Sequence, residues 1–96
     1  MRKRHIILTP GGVIRELRTK KGWTQTVLSK LTGIAVPNIS NIEHDRARIS
    51  EDRAIIIAEA LEVKPSFILF PNGYEREDLM PKIREVRRKL KQLKAG

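Results

Sequence analysis

Surface chemistry needs nucleophiles, paired acids and bases, metal ligands or charge, and this chain supplies only charge in quantity. There is no cysteine, so no thiolate nucleophile, thiolate metal site or disulfide framework is available. The two histidines, His5 and His44, lie far apart in sequence, and no glycine-rich run has the phosphate-cradling pattern. These residues support neither catalysis nor a metal centre, and no cofactor is expected. The charge, by contrast, is large: 20 Lys and Arg against 11 Asp and Glu give a formal +9 and a sequence pI near 10.5. Such a balance favours a polyanionic partner. Residues 1–22 and 79–96 each hold seven bases and one acid, whereas residues 23–78 hold six bases and nine acids. Two cationic ends around a mildly acidic middle suit phosphate contact better than a uniformly solvated surface would.

The elements that must position these charges are marked by caps, breakers and apolar spacing. Thr9-Pro10 is a helix start, because Thr can cap orphan N–H groups and Pro tolerates the first helical position. A first helix then runs to about Lys20, with Val13, Ile14 and Leu17 inward and Gly22 ending it. Thr24 caps a second helix, Gln25 to Thr32, which carries Val27, Leu28 and Leu31 and stops at Gly33. Pro37 begins a third helix ending at His44, and its ring pushes Val36 into extended backbone. The three-residue step from Ile39 to Ile42 keeps both on one face. Two short helices joined by a tight glycine turn make a helix-turn-helix pattern, in which the first helix braces the second and the second fits a DNA major groove.

Arg46-Ala47-Arg48 leads to a fourth helix, opened by Ser50 with Glu51 and Asp52 on the positive end of its dipole and continuing from Ala54 through Leu61. Lys64-Pro65-Ser66 opens a short fifth helix through Phe67, Ile68 and Leu69, which Pro71-Asn72-Gly73 breaks. The expected core is Ile14, Leu17, Trp23, Val27, Leu28, Leu31, Ile34, Ile39, Ile42, Ala58, Leu61, Val63 and Ile68. Trp23 reads as a core anchor, since one aromatic cannot form the repeated stacking platform of single-strand binders. The chain is long enough for one small domain with one core.

The last segment differs in character. Leu79, Ile83, Val86, Leu90 and Leu93 follow steps of four, three, four and three, a heptad seam that Asp78 can cap. Arg84, Arg87, Arg88, Lys89, Lys91 and Lys94 occupy its other faces, making it amphipathic and basic. Packing on its own domain, a dimer seam, and a surface for another protein or for lipid all remain open. The basic start, Met1 to His5, precedes only three apolar residues, too few for a signal-peptide core, and no run approaches the ~20 apolar residues that span a bilayer. A soluble, cytoplasmic protein without membrane contact is expected.

Ile14-Arg15-Glu16-Leu17-Arg18, Gly22, Thr24-Gln25, Gly33-Ile34, Ile39-Ser40, Ile42-Glu43 and Ser50 together resemble the Cro/phage-repressor helix-turn-helix family, also called the xenobiotic-response-element family. The resemblance covers about residues 12–70 and implies an all-α, five-helix, lambda-repressor-like domain there; a basic arm, 1–11, and a turn with an extra C-terminal amphipathic helix, 71–96, lie outside it. It implies that Gln25, behind Thr24, holds a phosphate through its side chain and the helix N-terminus. Val36, Pro37 and Asn41 would face base edges, with Asn38 at the groove wall. The family usually has a polar residue at the place of Val36, which weakens hydrogen-bond readout here. Val36 and Pro37 can touch thymine methyls and Asn41 can pair with adenine, so an A/T-rich half-site is expected. Arg46 and Arg48 stand where the family contacts phosphate, and His44 reads as a backbone contact or a solvated helix end. Arg18 and Glu43 resemble the pair that ties the first helix to the third. The arm residues Arg2, Lys3 and Arg4 are candidates for an adjacent minor groove.

Ile56 and Phe67 replace residues that are usually polar in the family, and Phe70 follows closely. With Leu79, Ile83, Val86, Leu90 and Leu93, they are candidates for a homodimer or partner contact. The fold-back of the last helix over Phe67 and Phe70 is the competing arrangement. The leading expectation is a dimeric transcriptional repressor on an inverted-repeat operator of double-stranded DNA. The alternatives are the antitoxin of a toxin-antitoxin pair, which also neutralises a partner protein, a restriction-modification controller, and an RNA-binding or coactivator-bridging protein.

Overall fold

The structure, a computed structural model, describes residues 8–73 and 77–95. Thr9 is extended and its hydroxyl accepts from the Gly12 N–H at 3.0 Å, while Pro10 takes a first-turn position; α1 therefore spans Pro10–Lys20. Gly22 at φ +72° reverses the chain after it. Thr24 accepts from the Val27 N–H at 3.2 Å and starts α2, Gln25–Thr32, which the left-handed Gly33 terminates. Helix α3 spans Val36–Glu43. Ser50 caps α4, Glu51–Leu61, by accepting from the Arg53 N–H, and α5 is Pro65–Leu69. A 3₁₀ turn, Glu77–Leu79, leads into α6, Met80–Ala95.

The start of α3 differs from expectation. Val36 is its first helical residue, and the extended residue is Ala35, at ψ 143°. Ala35 presents its carbonyl to the N–H groups of Asn38 and Ile39, which closes the first turn one residue earlier. Pro37 fits within that turn because no intrahelical acceptor needs its missing N–H.

Helices α1 to α5 enclose one core of Val13, Ile14, Leu28, Ile34, Ile39, Ile42, Ala54, Ile57, Ala58, Leu61 and Ile68. Leu17, Trp23 and Val63 pack at its edge, half-buried. Two expected core residues are surface residues: Val27 is 36% and Leu31 57% exposed. A helix of two turns presents one narrow row to its neighbours, and α2 centres that row on Leu28; Val27, about 100° to one side, faces solvent, and Leu31, about 60° to the same side in the last turn, opens onto a groove beside Ile55 and Ile56. The same geometry selects Ile57 from the run Ile55-Ile56-Ile57. It lies with Ala54, Ala58 and Leu61 on the inner face of α4, leaving Ile55 and Ile56 outside.

Gly11 is buried where α1 crosses α3. A Cβ there would collide with the Ile42 carbonyl and stand 2.7 Å from Asp45 Oδ1, so the two helices meet at backbone distance. The Thr9 hydroxyl donates to Asp45 at 2.9 Å and fastens the same junction. Asn72 closes the domain, its carboxamide accepting from the Leu8 N–H and donating to the Leu8 carbonyl. No residue of α6 is buried, and Phe67 and Phe70 remain exposed. The tail thus does not cover them within one chain. No described helix is long and apolar enough to cross a membrane.

Candidate nucleic-acid interface

Helix α3 has two unlike faces. Ile39, Ile42 and Glu43 point into the domain, and Pro37 and Asn38 are exposed with Val36 and Asn41 half-buried beside them. The carboxamides of Asn38 and Asn41 make no hydrogen bond among the described residues, so their donors and acceptors face outward unspent. A helix that buries one side and offers carboxamides and methyls on the other has the width and chemistry to read base edges.

Glu43 sets the pose of this helix. Arg18 of α1 donates to it twice, Nε to Oε2 at 2.7 Å and Nη2 to Oε1 at 2.8 Å, and Nη1 donates to the Trp23 carbonyl at 2.7 Å. Gln25 Nε2 adds a third donor to the carboxylate at 3.1 Å. Three segments thus converge on one buried anion. Burial alone would push the Glu43 carboxyl up, but Arg18 and then Gln25 outweigh it and hold the carboxyl below its ordinary value. Hydrogen bonding to Glu43 raises the Arg18 pKa against the opposing effect of desolvation. Fork-to-carboxylate geometry makes this pair directional, so it orients α3 against α1.

The expected phosphate residues fall around this centre. Gln25 is half-buried and its amide is engaged with Glu43, which assigns it a bracing role that the residue pattern did not reveal. That bond also brings the start of α2 beside the end of α3. Thr24 caps α2, and the first N–H groups of that helix remain without intrahelical acceptors. His44 caps α3 from solvent, its Nδ1 2.8 Å from the Ser40 carbonyl. Asp45, left-handed at φ +57°, turns the chain, and the Arg46 and Ala47 N–H groups donate to the Asn41 carbonyl. Arg46 and Arg48 emerge exposed from that turn, next to the outward face of α3, with no ion pair among the described residues. Arg2, Lys3 and Arg4 lie outside the described residues.

The apolar candidates divide into separate surfaces. Phe67 and Phe70, 54% and 42% exposed, flank a concavity with Val63 and Pro71. Ile56 belongs to a different groove, with Leu31 and Ile55. Leu79, Val86, Leu90 and Leu93 are exposed and Ile83 half-buried along the tail.

This is a lambda-repressor-like helix-turn-helix domain with an additional helix. Residues 14–68, more than half of the chain, match the model of the helix-turn-helix family HTH_3, and the chain belongs to that family of DNA-binding regulators. The fold is shared with the P22 c2 repressor in complex with synthetic operator 9T, at TM-score 0.62 and 24% identity over 65% of this chain and 94% of that one. The restriction-modification controller protein C.AhdI from Aeromonas hydrophila is similar at TM-score 0.59 and 30% identity, over 62% of this chain and 89% of that one. The SinR protein/SinI protein complex contains a chain similar at TM-score 0.63 and 20% identity, over 82% of this chain and 79% of that one. None of the curated proteins compared with the chain matches it.

Proposed function

We propose that this protein is a dimeric repressor that reads an inverted-repeat operator through the major groove. The observation that carries the reading is the two-sided α3, clamped from behind by the Arg18–Glu43–Gln25 cluster and presenting unspent carboxamides in front. Asn41 pairs with adenine and Val36 and Pro37 meet thymine methyls, giving an A/T-rich half-site of modest discrimination. Asn38 lies at the groove wall. Thr24, Gln25, the α2 N-terminus, His44, Arg46 and Arg48 contact the phosphates on either side and set the register without reading sequence. The arm, Arg2 to Arg4, reaches an adjacent minor groove. Dimerisation places two α3 helices about one DNA turn apart, ~34 Å.

Selection of sites from a random duplex library with the purified protein, followed by a salt series on the winner and on a scrambled duplex, tests this reading. The expected result is an enriched inverted repeat with half-sites about one turn apart. Equal affinity for both duplexes with the same steep salt dependence would sink it, leaving a nonspecific polycation. The 30% identity to C.AhdI favours a second reading, control of restriction-modification genes by the same DNA contacts. A restriction enzyme encoded beside this gene would select it; a neighbouring small toxin would select the antitoxin role.

A further inference from the structure

Two apolar surfaces of this chain stand uncovered in the same fold and carry opposite charge. On α6, Val86, Leu90 and Leu93 are 52%, 47% and 78% exposed, in line with half-buried Ile83. Between α2 and α4 lies a groove of about 420 Å³ lined by Leu31, Ile55, Ile56, Glu59 and Ala60. We propose that α6 of one chain docks in the α2–α4 groove of a second copy, reciprocally, across a two-fold axis.

Charge decides against the simplest alternative, α6 paired with α6. In the heptad set by Ile83, Val86, Leu90 and Leu93, the flanking positions are Lys82, Arg87, Lys89 and Lys94. A parallel pair sets Lys82 against Arg87 and Lys89 against Lys94, and an antiparallel pair sets flanks of the same kind together. Every cross-seam contact is then repulsive. Glu85, the only acid of α6, accepts from Lys89 at 2.9 Å and Lys82 at 3.3 Å. Those pairs are solvent-exposed and weak, and they leave the helix strongly cationic.

The groove has the complementary rim. Asp52 lies one turn before Ile55 and Ile56, and Glu59 one turn after, both exposed. With Glu51 they outnumber the bases of the two walls, Arg53 of α4 and Lys30 of α2. The lengths agree: the eleven residues from Ile83 to Leu93 and the eleven of α4 each rise about 16 Å. The second copy is favoured over the same chain because α6 buries nothing on its own domain. The radius of gyration, 17.3 Å, exceeds the ~12.5 Å of a compact chain of this length.

The docking rests on the dimeric part of the repressor reading and is tested apart from its DNA part. Sedimentation velocity of the full chain over a concentration series compares wild type with Lys89→Glu/Lys94→Glu, with Glu59→Lys, and with Leu90→Gln, each checked for native helicity by circular dichroism. All changed positions are exposed, and each change acts twice in a two-fold dimer, so every variant weakens association on the order of tenfold or more. An equimolar mixture of Lys89→Glu/Lys94→Glu and Glu59→Lys restores it, since each acidic tail then meets a basic groove and each basic tail an acidic one. A wild type that stays monomeric, a Glu59→Lys chain that associates as the wild type does, or a mixture that does not recover would each overturn the docking. A Glu59→Lys chain that stays dimeric and binds the selected operator leaves the repressor reading standing alone. Restoration in the mixture without any enriched operator leaves the docking standing and removes the repressor.

Discussion

Asn41 and Arg46 are joined through backbone, since the Arg46 N–H donates to the Asn41 carbonyl, yet the proposed function gives them different tasks on DNA. A carboxamide on adenine discriminates by geometry, worth ~1–3 kcal/mol per good bidentate pair, whereas a guanidinium on phosphate is indifferent to sequence. Asn41→Ala is therefore expected to lower affinity for the selected site and leave the scrambled duplex nearly unchanged. Arg46→Ala should weaken both equally and flatten the logarithmic salt slope by about one. Titrations of both variants on both duplexes separate the roles, and a sequence-independent loss for Asn41→Ala would take it off the base edges. Gln25 shows how one residue can serve two ends. Its position suits the proposed phosphate contact, and one N–H of its amide also braces the neighbouring buried carboxylate.

At the scale of elements, the orientation of α3 depends on two contacts with α1, one polar and one of excluded volume. Gly11 allows the backbones to meet, and Arg18 and Glu43 lock the angle. Removing one partner strands a buried charge, so Glu43→Ala should cost on the order of 3–5 kcal/mol in urea unfolding and reduce DNA affinity with it. The pH dependence has a definite sign. A carboxyl whose folded pKa is depressed contributes stability fully above its unfolded value, near 4.5, and loses it as pH falls through the folded value. Urea melts of the wild type from pH 7 to pH 3 should show stability declining below about pH 4.5. Glu43→Gln should flatten that decline, and an unchanged slope would assign the acid sensitivity elsewhere.

For the whole molecule, the division is between a domain that buries its core in α1 to α5 and a helix that buries nothing within the chain. A chain ending at Gly73 retains Leu8 and Asn72, which close the domain. It is expected to melt close to the full chain at dilute concentration and to associate more weakly in sedimentation. A large drop in the melting temperature of the dilute monomer would show that α6 supports its own domain. Truncation should also reduce salt-dependent attraction to DNA, because residues 79–96 carry seven of the 20 bases.

Local signals determined most of the helix boundaries: Thr9, Thr24 and Ser50 cap as their hydroxyls dictate, and Gly33 stops α2 because it alone there takes positive φ without strain. The family pattern placed Arg18 opposite Glu43 and put the residues proposed to face bases along α3. Tertiary structure alone decided which of several apolar residues on a short helix is buried, because neighbours define the row; hence Leu28 rather than Leu31, and Ile57 rather than Ile56. It also decided that Gly11 marks a helix crossing, for which a glycine inside the first helical turn was the signal available in the sequence. The tail marks the limit of both kinds of information. Its periodicity by itself leaves self-packing, a twin and another partner open, and the proposed docking rests on the sign of charge on each exposed face, which is assembled only in three dimensions.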